Sequence, residues 1–364
     1  MKLMENNSAQ SLKVVAWPAF INKERNPYNF LLYSSIRELS VNVIEAKYFF
    51  RKPTDRFDIL HIHWPENALS RPPLDLIKKL SILYGLLFIA KTKRAKVVWT
   101  VHNLRPHERR YPWLEPVFYR TLVRFIDGVI FLSKASMNLI SKDEYMKMLL
   151  KKPFAVIPHG HYRDVYPNAV NKLAARQKLG LGEEKVLLFI GQLRPYKGVD
   201  KLIVSFKQLP GSGLRLIVAG KPISRQYLEQ LEHLIGNDPR ILLIPRFIND
   251  AEIPILFGAA DLVVLPYTSI LNSGSAILAL SFSRPLLAPN EGSFPELAEE
   301  VGPGWVHLYD PPLTSEKLNL AIEQIKKGQK ANLEKAISRW SWRAIAVETV
   351  KFYDHVISTN KKDY

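Results

Sequence analysis

No cysteine occurs among the 364 residues. Disulfides, thiolate metal sites and cysteine nucleophiles are excluded by that absence, and a reducing, cytoplasmic setting is expected. Acidic residues are scarce. Asp and Glu number 34 against 51 Lys and Arg, for a formal charge of +17. Such an excess attracts polyanions: nucleic acid, anionic lipid headgroups or phosphorylated ligands. Long hydrophobic runs are missing as well. The longest, Leu80–Ala90, is about half of the roughly 20 residues that a spanning helix needs. The opening MKLMENNSAQSLKVVAW has no extended apolar stretch after its basic residue, so no secretory signal is expected. These features predict a soluble chain, or one held peripherally on a membrane face. Three motifs are absent too: Gly-x-Gly-x-x-Gly, the Walker loop and the Gly-x-Ser-x-Gly elbow. Dinucleotide enzymes, P-loop enzymes and elbow hydrolases thereby lose their main support. There is no solenoid-period repeat and no low-complexity tract.

What is present is a succession of short apolar runs that end in glycine, proline or polar residues. In the first half these are KVVAW (13–17), FDILHIHW (57–64), AKVVWTVHN (95–103), DGVIFLS (127–133) and FAVIPHG (154–160). In the second half they are KVLLFIG (185–191), LRLIVAG (214–220), ILLIPR (241–246), DLVVLPY (261–267) and PLLAPN (285–290). Unbroken Val/Ile/Leu runs of this length predict strands buried on both faces. Segments long enough for crossover helices separate most of them, which predicts an α/β fold of parallel sheets built from βαβ units. Ten strands are too many for one sheet in a chain of this size, and the polar stretch 162–185 suits a linker with one short helix. The expected division is 1–165 and 166–345, with 346–364 a final helix packing back on the first domain. In the stretch SWRAIAVETVKFYDHVIS (341–358) Trp342, Ile345, Val350, Phe352 and Val356 fall roughly on one helical face.

In doubly wound sheets ligands bind beyond the carboxyl ends of the strands, and the unusual side chains collect there. His63, Trp64 and Glu66 follow one run, His102, Asn103 and Arg105 the next, and His159 the fifth. In the second half Gln192, Arg194 and Lys197 follow the first run, Arg246 and Phe247 the third, and Tyr267 to Ser275 the fourth. Two loaded sheets predict two domains facing one cleft. The second half offers the better anion site. GQLRPYKG (191–198) leads straight from a strand into a helix. NSGSAILALSF (272–282) sets Ser273, Gly274 and Ser275 at a helix start. Exposed amides, the helix dipole and two cations together suit a diphosphate. The bland alternatives are a solvated Arg and Lys and a plain serine cap. His61 and His63 share a strand face, and with His102 nearby a three-histidine metal site is conceivable. No carboxylate or thiol joins them, so no metal is expected, and His102 reads better as a cleft residue, with a satisfied structural histidine as the alternative.

These segments resemble the GT-B glycosyltransferases of the family-4-like kind, the glycosyl transferases group 1. The resemblance is clearest over about 154–345. VIPHGHY resembles the segment that joins the two Rossmann-like domains. ARQKLGLGEEKVLLFIGQLRPYKGVDKLI resembles the first strand, phosphate loop and helix of the donor domain. RFINDAEIPILFGAADLVVLPY and SRPLLAPNEGSFPEL resemble the base loop and the strand and helix beyond the donor site, and FDILHIHWPE and VVWTVHNLRPHE resemble strands of the acceptor domain. The resemblance implies a hexosyltransferase using a UDP- or GDP-sugar as substrate, without a further cofactor. It implies Arg194, Lys197, Ser273, Gly274 and Ser275 at the diphosphate and sugar. It also implies Arg246 and Phe247 at the base and His102 at the reacting sugar. Asn26, Tyr28, His63, Trp64, Glu66, Asn103 and His159 are expected on the acceptor side. Two departures stand out. The glutamate pair that many members carry eight positions apart falls on Ile270 and Leu278 here, and the usual Gly-Arg pair is Gly191-Gln192.

A retaining, metal-independent reaction is what the resemblance implies. An inverting one would need a base, for which Glu66 and His102 are conceivable. The acceptor is expected to be a saccharide or lipid-linked saccharide, in polysaccharide or glycolipid assembly. DLIKKLSILYGLLFIAKTKRAK (75–96) has an apolar centre and basic flanks. It reads either as a buried crossover helix or as a segment dipping into an anionic lipid interface. Two rival functions are a nucleotide-sugar 2-epimerase and a non-enzymatic polyanion binder. No nucleic-acid module is recognisable, so nucleic acid is not an expected partner.

Overall fold

The computed structural model describes residues 12–24, 26–49, 55–106, 108–166, 170–325, 328 and 330–359. Residues 167–169, within the expected linker, and the tail 360–364 lie outside them. The chain divides into two compact units, 1–160 with 341–364 and 161–340. The divisions therefore fall at 160/161 and 340/341, where the sequence reading placed 165/166 and 345/346.

The first unit holds six strands: β1 (Lys13–Trp17), β2 (Asn42–Glu45), β3 (Ile59–His63), β4 (Lys96–Val101), β5 (Gly128–Phe131) and β6 (Phe154–Val156). They form one sheet in the order β2-β1-β3-β4-β5-β6, and every pairing is parallel. The second unit repeats the plan with β7 (Lys185–Ile190), β8 (Leu214–Ala219), β9 (Ile241–Ile244), β10 (Leu262–Val264), β11 (Leu286–Pro289) and β12 (Val306–Tyr309). Its order is β12-β11-β10-β7-β8-β9, again all parallel. Among the described residues twelve strands thus replace the ten expected. The two additions, NVIE of β2 and VHLY of β12, are edge strands with mixed burial. An edge strand is covered less completely, so its sequence need not be a continuous apolar run.

Central strands account for the core. Val14, Val15, Val97, Val98 and Trp99 are wholly buried in the first unit, as are Leu187, Leu188, Ile217 and Val263 in the second. Burying each such aliphatic side chain contributes about 1.5–3 kcal/mol. The crossover from β3 to β4 is the helix Pro73–Thr92, which turns Leu76, Leu83, Leu86, Leu87 and Ala90 inward. The crossover reading of that segment is correct for this face; its outward face is taken up below. None of the described helices is long and apolar enough to cross a membrane.

The last helix, Trp342–Ser358, is capped by Ser341, whose side chain accepts from the Ala344 amide. Trp342, Ile345, Ala346, Phe352, Tyr353 and Val356 enter the first unit's core beside Val14, Tyr33 and Ile130. The approach is close enough to require glycine twice: a Cβ on Gly128 would overlap Val356, and one on Gly160 would overlap the Trp342 ring.

Candidate functional site

In each unit the strand order reverses beside its first strand, and the chemistry gathers at the carboxyl ends next to that switch point. In the second unit the switch lies between β7 and β10. Gly191 leaves β7 and the chain passes through a single turn, Pro195–Lys197, into the helix Val199–Lys207. Lys197 turns back over this turn. Its Nζ donates to the Tyr267 hydroxyl at 3.3 Å and lies 5.0 Å from the centre of that ring. Burial works to lower its pKa, but Tyr267 and Tyr196 outweigh that, and the net shift is upward. The lysine therefore stays charged. A Cβ built on Gly191 would lie 3.1 Å from Lys197 Nζ and 3.8 Å from Ser275 Oγ. Gly191, Lys197 and Ser275 thus converge on one point, from positions far apart in the chain.

Ser275 is the second residue of the helix Gly274–Ser281, whose cap is Ser273 Oγ, 3.2 Å from the Ala276 amide. Ser273 is consumed as a cap, while Gly274 and Ser275 bring the positive end of the helix to the lysine. Arg194 is held 2.8 Å from Gln192 Oε1 through its Nε, so the glutamine that replaces the usual arginine fixes its neighbour's guanidinium. A cation and a helix start at a strand end can hold a diphosphate and stabilise it as a leaving group. Arg246 and Phe247 follow β9 as expected, and both are exposed. The Arg246 guanidinium is engaged by Glu252 at 2.6 and 2.8 Å. Ile270 and Leu278 occupy the positions of the missing glutamates as half-buried apolar side chains.

Gly198 permits this loop. It adopts φ +63°, and a Cβ there would overlap the Pro266 carbonyl oxygen. Strain at that φ plus the backbone clash should make Gly198→Ala cost about 1–3 kcal/mol, read as a lower urea midpoint.

The first unit answers with an aromatic and histidine cluster. Tyr28, from the helix Tyr28–Arg37, meets the rings of His102 at 4.9 Å, His159 at 4.8 Å, Trp342 at 5.3 Å and His63 at 6.0 Å. Trp64 stacks on His102 at 4.0 Å and 21°. Asn26 starts the Tyr28 helix by accepting from the Tyr28 amide at 3.1 Å. His159 is tied through Nδ1 to the Gly160 carbonyl at 2.8 Å. Tyr28, His63, Trp64, His102 and His159 are thus brought together.

His63 bridges the Tyr33 hydroxyl (2.6 Å, Nε2) and His102 Nε2 (3.0 Å, Nδ1). His61 bridges the Tyr353 hydroxyl (2.6 Å) and Thr100 Oγ1 (2.8 Å). All four ring nitrogens of His61 and His63 have hydrogen-bond partners within the protein. Burial pushes His61 down to about 3, and lowers His63 and His102 well below the usual histidine range. His102 is therefore neutral. The donor in each of these bonds depends on the tautomers: either Tyr33 donates to His63 and His63 to His102, or the chain runs the other way.

Glu66 lies in the turn Pro65–Ser70 that follows β3, after Trp64 in a left-handed conformation. It is almost wholly buried. Oε1 accepts from Asn103 Nδ2 at 3.1 Å, and Oε2 has no partner among the described residues. Burial raises its pKa to about 7, against the opposing pull of the Asn103 hydrogen bond. An orphan carboxylate oxygen titrating near neutrality suits a general base.

Sequence reasoning missed Tyr33, Tyr353 and Glu45. The Glu45 carboxylate accepts from the amides of Ala19 (2.9 Å), Phe20 (2.8 Å) and Ile21 (3.3 Å). The amide nest after β1, where a phosphate would sit in a dinucleotide fold, is filled by the protein's own carboxylate. In the second unit the corresponding turn after β7 carries Lys197 instead of a carboxylate.

Two all-parallel, doubly wound units define the GT-B class of glycosyltransferase architecture. Solved structures of that class agree in fold. A sucrose-phosphate synthase from Thermosynechococcus elongatus superposes with a TM-score of 0.73 at 15% identity, covering 95% of this chain and 99% of that one. A glycosyltransferase from Rickettsia africae superposes at 0.68 with 15% identity, covering 96% and 100%. The family signature "Glycosyl transferases group 1" matches residues 171–340. A GDP-mannose:glycolipid 4-beta-D-mannosyltransferase from Xanthomonas campestris pv. campestris is 33% identical over 309 residues, 84% of this chain and 81% of that one. The chain belongs to the group 1 glycosyl transferases, and it is a glycosyltransferase. The comparisons lend no support to the epimerase alternative.

Proposed function

We propose that this protein transfers mannose from GDP-mannose to a glycolipid, with inversion at the anomeric carbon and without a metal. The observation that carries the reading is the convergence of Lys197 Nζ and Ser275 Oγ at Gly191, beside the start of the helix Gly274–Ser281. That point offers a retained positive charge and helix amides to a departing nucleoside diphosphate. The mannosyltransferase relative, which matches along most of both chains, supports the donor and acceptor class.

The same relative's name supports inversion. Nucleotide-activated mannose is α-linked, so a beta-linked product requires attack from the opposite face. The acceptor hydroxyl then needs a base, and Glu66 suits that role better than His102. A neutral imidazole with a strongly depressed pKa is a weak proton acceptor, whereas Glu66 titrates near 7. His102, stacked on Trp64 and oriented by His63, serves as a neutral donor to the sugar. Apolar side chains at Ile270 and Leu278 support this departure from the retention that the resemblance implied, because the acids that usually face the donor are gone.

The test is incubation with GDP-mannose and a lipid-linked saccharide in excess EDTA, with the product anomer read from its one-bond C–H coupling. A β-mannoside formed in EDTA is expected. An α-mannoside would overturn inversion, magnesium-dependent turnover would overturn metal independence, and product from a UDP-sugar alone would overturn the donor.

A further inference from the structure

The helix Pro73–Thr92 has a second face that the crossover role does not explain. Leu74 is 83% exposed, Ile77 63% and Phe88 65%. Together with the exposed Ser81 they recur at intervals of three, four and seven, one row on the side opposite the buried leucines. A surface helix ordinarily turns polar residues outward along such a row. At Gly85, in the same stretch, a Cβ would meet nothing within 4 Å.

The apolar surface continues onto the neighbouring segment. Trp113, 74% exposed, precedes the helix Glu115–Phe125, and Val117, 56% exposed, lies on it one turn later. Hydrogen bonds join the two at both ends. Tyr84 and Thr121 share a 2.5 Å bond across the two, and Thr121 Oγ1 donates within its own helix to the Val117 carbonyl at 2.8 Å. At the other end Tyr111 donates to the Arg71 carbonyl at 3.1 Å and packs its ring 6.4 Å from Trp113. The flanks are basic. Arg71, Lys78 and Lys91 border one helix and Arg110, Arg120 and Arg124 the other, all exposed; of these, Lys91 pairs with Asp127 at 2.9 Å and Arg120 with Glu144 at 3.4 Å. Exposed acids on the same two segments are few, namely Asp75 and Glu108.

We propose that this face docks the protein on an anionic lipid bilayer, with Leu74, Ile77, Phe88, Trp113 and Val117 entering the interface and the arginines and lysines meeting the headgroups. Charge complementarity selects the occupant: apolar side chains inside a cationic border match an anionic bilayer. A second copy of this chain would bring the same basic border against itself. An exposed tryptophan beside the helix starts also suits the interfacial layer. The inference does not depend on which nucleotide sugar is used.

The test is co-sedimentation of the full chain with phosphatidylcholine vesicles, with and without phosphatidylglycerol. Wild type should sediment with the anionic vesicles, less so at high salt, and hardly at all with phosphatidylcholine alone. The variant Ile77→Glu/Phe88→Glu/Trp113→Glu should lose at least about tenfold in apparent affinity. Its melting temperature and its turnover of a water-soluble acceptor should stay unchanged. Equal sedimentation of variant and wild type, or no binding of wild type to anionic vesicles, would overturn the proposal. So would a wild-type dimer in light scattering that the variant converts to a monomer, since a second copy would then own the patch. Vesicle binding is read without turnover, so its failure is distinguishable from a failure of the mannosyl-transfer reading.

Discussion

Lys197→Ala is expected to lower kcat by roughly 10²–10³-fold with the fold intact. The reasoning begins with where charge develops. As the bond to the anomeric carbon breaks, negative charge builds on the diphosphate. A preorganised cation is worth most at that moment, because no solvent has to reorganise. Lys197 is placed for it in advance: its turn is locked by Gly198, and its Nζ is anchored on Tyr267 rather than on a carboxylate. A lysine neutralised by an acid would have little left to offer a phosphate. The loss should appear in kcat more than in KM, since the interaction strengthens as the bond breaks. Folding should be spared, because the side chain is half-buried and its one hydroxyl bond is replaceable by water. Steady-state kinetics with a melting curve on the same preparation checks both halves. Undiminished kcat in Lys197→Ala would remove the diphosphate from this loop and with it the donor site.

The sequence made the central strands legible because a parallel strand buried on both faces must be apolar throughout. KVLLFI and KVVWTV could hardly be anything else. The edge strands β2 and β12 lack that constraint and left no comparable trace. The candidate donor loop was legible from its position after β7, yet its partner was not: nothing in the spacing of Lys197 and Tyr267, 70 residues apart, announces a hydrogen bond. The network behind His102 was more deeply hidden. His61 meets Tyr353 across 292 residues, and the final helix, recognisable by its apolar face, gave no sign that its tyrosine would reach a strand histidine. Glu66 was visible as a carboxylate after a strand. Its distinguishing property is the burial that raises its pKa, and burial is a tertiary fact that no local pattern encodes.

That burial makes Glu66 the place where the proposed mechanism is most exposed to test. Glu66→Gln should reduce kcat/KM by roughly 10²–10⁴-fold, the usual worth of a positioned base. The amide preserves shape and still accepts from Asn103, so stability should change little. The pH profile supplies a readout that a structural role would not move. A base works deprotonated. With its pKa raised to about 7 by burial, kcat/KM for wild type should climb as pH rises through about 7 and level off above it. An ordinary exposed carboxylate would already be ionised two units lower, and the rise would then be over by about pH 5. Asn103 sharpens the argument. Its hydrogen bond stabilises the charged carboxylate and opposes the desolvation shift, so Asn103→Ala should move the ascending limb to higher pH and lower the rate at pH 7 while leaving the alkaline plateau closer to wild type. His102→Asn should behave differently: an imidazole whose pKa is far below the working range contributes no limb near neutrality, so its loss should lower the plateau without moving the limb. A wild-type profile flat from pH 5 to 8, or a limb that survives in Glu66→Gln, would assign the proton transfer to another group and detach inversion from this carboxylate.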